Sequence, residues 1–229
     1  MVRKEDDEDN VYAMKLIGKK KMAKNSYEDQ VASKGFFGID IRDYGSGNSG
    51  ATNTYRVLGP RWGTFVMIVD MLKALIAVKL AFFLPLDVHG EFYLINMQLA
   101  LGLSAVIGHI FPVWAEFRGG KGVASLFGMV LGIQPNVAIC CVGIFILVLY
   151  ATRWVSLSSI LASLAFPVFI LFIFNEPETL YRIFAIAVAL LVIFTHQKNI
   201  GRILKGNENR LPILKHRDRR RERSDKETE

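Results

Sequence analysis

Two long stretches without a single Asp, Glu, Lys or Arg, residues 123–150 and 154–174, constrain this chain more than any other feature. Runs of 28 and 21 uncharged residues meet the length of about 20 that a helix needs to cross the hydrocarbon core of a bilayer. Charge crowds instead into the first 35 and last 30 residues, so the average figures, 52% apolar and 21% charged over 229 residues, conceal a segregated chain. A soluble globular domain and a disordered chain are both excluded. The net charge of +7 suits a nucleic-acid binder in size, but the arginines gather at segment ends and in the tail, where membrane proteins keep positive charge.

Five apolar blocks stand out, at 62–84, 92–113, 123–150, 154–174 and about 180–195. The connections 85–91 (PLDVHGE) and 175–179 (NEPET) hold four acids and no Lys or Arg, whereas Arg61, Arg118, Lys121, Arg153 and everything from Lys198 onward are basic. Positive-inside bias puts the basic connections in the cytoplasm and the acidic ones outside. Block 123–150 must then leave and return before Arg153, which one straight helix cannot do. Gln134-Pro135-Asn136 lies near its middle, and proline ends or opens a helix there. The pieces 123–133 and 136–151 are expected as two short, tilted or partly re-entrant helices, giving six helical segments after residue 61. The expected fold is an all-α, polytopic membrane bundle.

Asp70, Lys73 and Lys79 fall inside the first block, where an isolated charge costs several kcal/mol, so they should pair or face a wet interior. Asp70 and Lys73, three apart, share a helical face and are expected as a structural ion pair. Cys140 and Cys141 read as inert buried thiols, with no disulfide framework and no set of metal ligands. The acidic start MVRKEDDEDN has no signal peptide's apolar stretch.

Three polar, glycine-rich segments fall on the side assigned to the cytoplasm. In residues 45–56 (GSGNSGATNTYR), Gly45, Gly47 and Gly50 satisfy the dinucleotide G-x-G-x-x-G spacing, but no strand precedes them and Asp70, at the ribose-acid position, is inside a span. The physical part survives. Glycines allow amides to converge on an anion, Ser46, Asn48, Thr52 and Asn53 offer neutral hydrogen bonds, and Arg56 offers a forked cation for phosphate oxygens. A flexible polar loop is the bland alternative.

In residues 108–125 (GHIFPVWAEFRGGKGVAS), Gly119-Gly120-Lys121-Gly122 is not a nucleotide P-loop, because Ala115 occupies the earlier glycine position and Gly122 follows the lysine. A lysine between glycines just ahead of a helix still suits an anion. His109 reads as a satisfied interfacial histidine. In residues 196–210 (HQKNIGRILKGNENR), His196, Asn199 and Arg202 would share one face if the preceding helix continued; a basic interfacial stretch is the alternative. All three segments together favour an anionic headgroup or phosphoryl substrate.

GIDIRDYGSGNSGATNTYRVLG, GHIFPVWAEFRGGKGVAS and HQKNIGRILKGNEN resemble, in this order, the three cytoplasmic motifs of the bacterial PlsY family, the acyl-phosphate:glycerol-3-phosphate acyltransferases. The resemblance implies a seven-helix enzyme of the bacterial inner membrane, with its site on the cytoplasmic side. It implies transfer of an acyl group from acyl phosphate to the 1-hydroxyl of sn-glycerol 3-phosphate, yielding 1-acylglycerol 3-phosphate and phosphate for phospholipid synthesis. No cofactor or metal is implied; the partners implied are the two substrates, membrane lipid and the acyl-phosphate-producing enzyme, and no nucleic acid.

By motif position, Ser46, Arg56, Lys121, His196 and Asn199 match the family's catalytic set. Gly119, Gly120 and Gly122 match the family's glycines associated with binding acyl phosphate, and Arg202 is also retained; together with Gly45, Gly47, Asn48, Gly50 and Asn53, candidates on the residue reading above, they form the expected substrate- and phosphate-binding set. Glu208, with Asp70 and Lys73, is expected to be structural. The implied organisation is an acyltransferase domain over 38–208 and a charged tail over 209–229. Residues 1–37 form a charged extension where the family carries its first helix, so about six membrane helices are expected; a misplaced start or frameshift, a truncated and inactive paralogue, and a six-helix variant are the three explanations.

Two other functions compete with this one. The His-x4-Asp acyltransferases are excluded, because five positions after the four histidines stand Leu94, Trp114, Gly201 and Arg221. A channel or carrier for phosphate or an organic anion would place polar groups along a path through the bilayer, whereas here they collect on one face.

Overall fold

The computed structural model describes residues 37–84 and 93–211, all helix and connection among those residues. Most of the charged extension, the PLDVHGE connection and the tail beyond residue 211 lie outside the described residues.

After a 3-10 turn at Ile41–Asp43, the described residues form eight α-helices: α1 (Ala51–Leu58), α2 (Pro60–Lys79), α3 (Tyr93–Ile110), α4 (Val123–Ile133), α5 (Pro135–Thr152), α6 (Val155–Val168), α7 (Thr179–Thr195) and α8 (Gln197–Leu204). Proline opens both α2 and α5, where its missing N–H loses nothing and its fixed φ already fits the helix. Pro167 lies inside α6 and the helix widens just after it into a π turn at Phe169–Ile173, as expected where proline removes one rung of the ladder.

Among the described residues three helices are long and apolar enough to cross a membrane, Tyr93–Ile110, Pro135–Thr152 and Val155–Ile173; Thr179–Thr195 with the bent-away α8 counts as a fourth where the bent pair is taken as one span. The uncharged run 123–150 divides at Gln134, as Pro135 predicts. One expectation needs correction: α5 reaches 18 residues, enough for a span, so α4 alone is short. At about 1.5 Å per residue its 11 residues rise roughly 17 Å.

That short helix is the most enclosed, and small residues seat it. A Cβ on Gly128 would stand 2.0 Å from the Met71 carbonyl oxygen of α2, and one on Gly102 of α3 would meet Met129 of α4 at 2.6 Å. Close backbone approach through small residues is how helices pack where lipid offers no hydrophobic drive. Lys79 Nζ donates to the Gly132 carbonyl (2.9 Å), satisfying an acceptor in the last turn of α4. The core continues through Val106, Met129, Val137 and Ile170 to an aromatic group in which Phe166, Tyr181 and Phe184 lie with centroids 6.2–6.3 Å apart. Large apolar side chains such as Phe172, Leu190 and Phe194 face outward, as lipid-facing positions should.

Candidate functional site

The first segment folds around one side chain. Asn53, 1% exposed, donates through Nδ2 to the carbonyls of Ile41 (2.8 Å) and Tyr44 (3.1 Å) and accepts from the Ser46 amide at Oδ1 (2.8 Å). Gly45 sits at φ +60°, and a Cβ there would approach Asn53 Oδ1 to 2.3 Å, so both handedness and space demand glycine. Asn48 Oδ1 accepts the Gly50 amide (2.8 Å), and the Gly47 amide donates to Tyr44 O (3.1 Å). Asp40 holds Arg42 (2.6 Å), and Arg42 Nη1 reaches the Ala115 carbonyl (3.0 Å), tying this loop to the second segment.

Arg56, in the last turn of α1, is partly buried and has no hydrogen bond or ion pair with any described residue. Burial lowers its pKa, with Glu208 acting against the shift and Arg202 adding to it; an arginine remains cationic regardless. Ser46 Oγ is likewise without a partner among the described residues.

The second segment turns back on α3. The Gly119 and Gly120 amides donate to the Ile110 and His109 carbonyls, both at 3.2 Å, closing the end of α3. Gly122, at φ +82°, then starts α4. Lys121 is carried inward between them, and its ammonium donates to Asn199 Oδ1. Desolvation drops the Lys121 pKa to about 8; Arg202 and Arg56 add to the fall and Glu208 opposes it.

The third segment departs from the sequence-based expectation. The helix does not continue, because α7 ends at Thr195 and α8 leaves at 62°, so His196, Asn199 and Arg202 do not project from one uninterrupted face. His196, 3% exposed, sits at the corner and its Nδ1 lies 2.8 Å from the Val192 carbonyl. A carbonyl only accepts, so Nδ1 carries the proton and Nε2 keeps its lone pair. Burial and the Lys121 charge push the imidazole pKa down to about 4. Beyond the corner, Glu208 gathers three donors: Oε1 accepts from Asn199 Nδ2 (2.7 Å) and Ser156 Oγ (2.8 Å), and Oε2 from Arg202 Nε (2.7 Å). Burial alone would raise the Glu208 pKa, but these bonds outweigh it and hold the carboxyl below the usual value.

The structure therefore brings Ser46, Arg56, Lys121, His196, Asn199 and Glu208 to one cavity of about 510 Å³. Phe127, Phe145, Phe166 and Val188 give it an apolar lining as well. Asn48, Gly50, Asn53 and Gly122 line the same cavity, though several of these groups are also bonded within the protein. Asn53 and Asn48 use their side chains on the loop itself, as do the amides of Ser46, Gly47 and Gly50, while those of Gly119 and Gly120 hold α3. The picture of glycine amides converging on an anion is thus corrected for these positions: the loops use them to hold their own shape. Arg202 turns toward Glu208.

Sequence reasoning missed a cluster in the wall of the cavity, which Asp70 and His109 line. Lys73 Nζ stands 2.6 Å from Asp70 Oδ1 and 2.5 Å from His109 Nδ1, and Asp70 and His109 are 3.2 Å apart. The spacing of Asp70 and Lys73 signals the pair; only the crossing of α2 and α3 adds the imidazole.

The sequence model for glycerol-3-phosphate acyltransferase matches residues 30–206. A glycerol-3-phosphate acyltransferase of Chlorobium chlorochromatii is 40% identical, over 81% of this chain and 91% of its own length. That of Fusobacterium nucleatum is 42% identical, over 77% and 87%. Among solved structures, the glycerol 3-phosphate form of PlsY, an integral membrane glycerol 3-phosphate acyltransferase, superposes with a TM-score of 0.67 at 35% identity, covering 79% of this chain and 86% of that one. The lysophosphatidic acid form gives 0.63 at 34%, covering 74% and 82%.

Proposed function

The chain belongs to the glycerol-3-phosphate acyltransferase family, and on that premise we propose that it moves an acyl group from acyl phosphate to the 1-hydroxyl of sn-glycerol 3-phosphate. The products are 1-acylglycerol 3-phosphate and inorganic phosphate. The observation that carries this reading is a cavity lined both by the cationic and hydrogen-bonding residues of the three motifs and by apolar side chains of the helices. A phosphate bearing a hydrocarbon chain combines the same two characters.

Both substrates are anions and repel each other. Arg56, with no partner among the described residues, and Lys121, oriented by Asn199, supply positive charge from a low-dielectric wall, where it acts more strongly than in water. The Ser46 hydroxyl is free to donate to a phosphate oxygen. The glycerol hydroxyl oxygen attacks the acyl carbonyl carbon; the bond from that carbon to the phosphate oxygen breaks, and phosphate leaves with the electron pair. The hydroxyl proton passes to an oxygen of the departing phosphate. An imidazole with a pKa of about 4 is a weak base for that proton. His196 instead accepts a hydrogen bond at Nε2 and orients the attacking hydroxyl.

The acyl chain enters sideways from the bilayer between apolar helices. The protein belongs in the bacterial inner membrane with this end of the bundle toward the cytoplasm, the side that the basic connections favour, and within reach of the enzyme that makes acyl phosphate.

The test is the purified protein in phospholipid vesicles with acyl phosphate and glycerol 3-phosphate, phosphate being followed by colour and product by mass. Turnover with acyl phosphate and none with acyl-CoA is expected. Absence of phosphate release, with uptake of glycerol 3-phosphate into the vesicles, would replace the enzyme by a carrier.

A further inference from the structure

We infer that His109 is the positioning residue for the Gly119-Gly120-Lys121 segment: braced by Asp70 and Lys73 of α2, its imidazole is the seat on which Gly120 rests, and it thereby sets where Lys121 stands.

The contact is closer than any other residue type would allow at position 120. A Cβ there would fall 2.0 Å from His109 Nε2, 2.7 Å from Cε1 and 3.1 Å from Cδ2. On its other side the ring meets Lys73 Nζ and Asp70 Oδ1, and its side chain is only 10% exposed. His109 also accepts the Gly120 amide at its own carbonyl, so one residue grips the segment through backbone and side chain together. An ion pair between Asp70 and Lys73 would by itself meet the need to neutralise charge within α2. Adding the imidazole links α2 to the end of α3 and, through Gly120, to the lysine one residue on. Lys121 reaches Asn199 across the cavity, so its ammonium group depends on where this turn is held. Misplacement of a substrate-holding group by about 1 Å is enough to cost on the order of 100-fold in rate.

The kinetic arm of the test rests on the acyl-transfer reading; the stability arm does not. Four full-length proteins are compared: wild type, Gly120→Ala, His109→Ala and the double variant. Phosphate release and thermal unfolding are measured on each. Gly120→Ala should lose on the order of 100-fold in kcat/KM, and removing the imidazole should relieve the clash, so that the double variant exceeds Gly120→Ala by roughly tenfold. His109→Ala alone should raise KM for an anionic substrate about tenfold while kcat stays within about threefold, a split that general destabilisation would not produce. A double variant no better than Gly120→Ala, or His109→Ala with unchanged KM for both substrates, overturns the inference. If Gly120→Ala does not accumulate as folded protein, recovery of folded protein in the double variant supports the seat, and equal loss in both refutes it. A wild type that releases no phosphate would overturn the acyl-transfer reading alone. The unfolding midpoints then decide, a double variant more stable than Gly120→Ala supporting the contact and additive losses refuting it.

Discussion

Replacing Glu208 by Gln would loosen the point at which three donors from α6 and α8 meet. Only 7% exposed, the carboxylate receives Ser156 of α6, Asn199 of α8 and Arg202 of α8. In Glu208→Gln, Oε1 can keep Asn199 and Ser156, but the new amide nitrogen turns a donor toward the Arg202 Nε–H. A hydrogen bond to a charged group contributes about 1.5–3 kcal/mol. Arg202 is about a third exposed, and solvent screening reduces that to roughly 1–2 kcal/mol. Glu208→Ala removes all three bonds and leaves Asn199 without its acceptor, a loss of about 3–5 kcal/mol. At about 2–4 °C per kcal/mol for a chain of this size, Glu208→Gln should unfold several degrees below wild type in detergent, and Glu208→Ala further below. The carboxyl's folded pKa is depressed, so its stabilisation is complete above the ordinary glutamate value of about 4.3 and is lost as pH falls below that. Glu208→Gln should lack that acid-side loss. Because Glu208 favours the charged form of Lys121, the alkaline limb of phosphate release should also move to lower pH in the variant. An unfolding midpoint and a pH profile both matching wild type would refute the reasoning.

Lys121 should govern that alkaline limb: with a pKa of about 8 it is cationic below and neutral above, so kcat/KM should fall as pH rises through about 8, and Lys121→Met should lose on the order of 100-fold. His196→Gln, which keeps an acceptor, should retain kcat within about tenfold at saturating substrate; loss of turnover would make His196 the base. Phe166 lines the cavity and packs against Tyr181 and Phe184, so Phe166→Ala should enlarge the cavity and shift preference toward longer acyl phosphates, read from competition between donors of increasing length, while costing about 3–5 kcal/mol of stability.

The helices were legible because a bilayer tolerates few alternatives: uncharged runs must be helical, and Pro135 must break one of them. The three motifs were legible as polar islands of glycine and cation. Three features were hidden for identifiable physical reasons. The corner at His196 depends on its ring bonding back to Val192 O, which periodicity does not encode. The inward use of the Gly119 and Gly120 amides depends on α3 ending beside them. The approach of His109 to Asp70 depends on how α2 and α3 cross. In each case the residue types were visible, and the missing information was which distant backbone lies opposite.

The mixed lining of the cavity also makes the protein sensitive to how it is handled. On the proposed reading, a detergent monomer with an anionic or zwitterionic head has the same form as the acyl substrate and will compete for the same trough, most strongly when its tail matches the preferred acyl chain in length. Apparent affinities measured in micelles will therefore follow surfactant identity and mole fraction. Only reconstitution into a bilayer of defined lipid separates the preference of the protein from that of the solubilising medium.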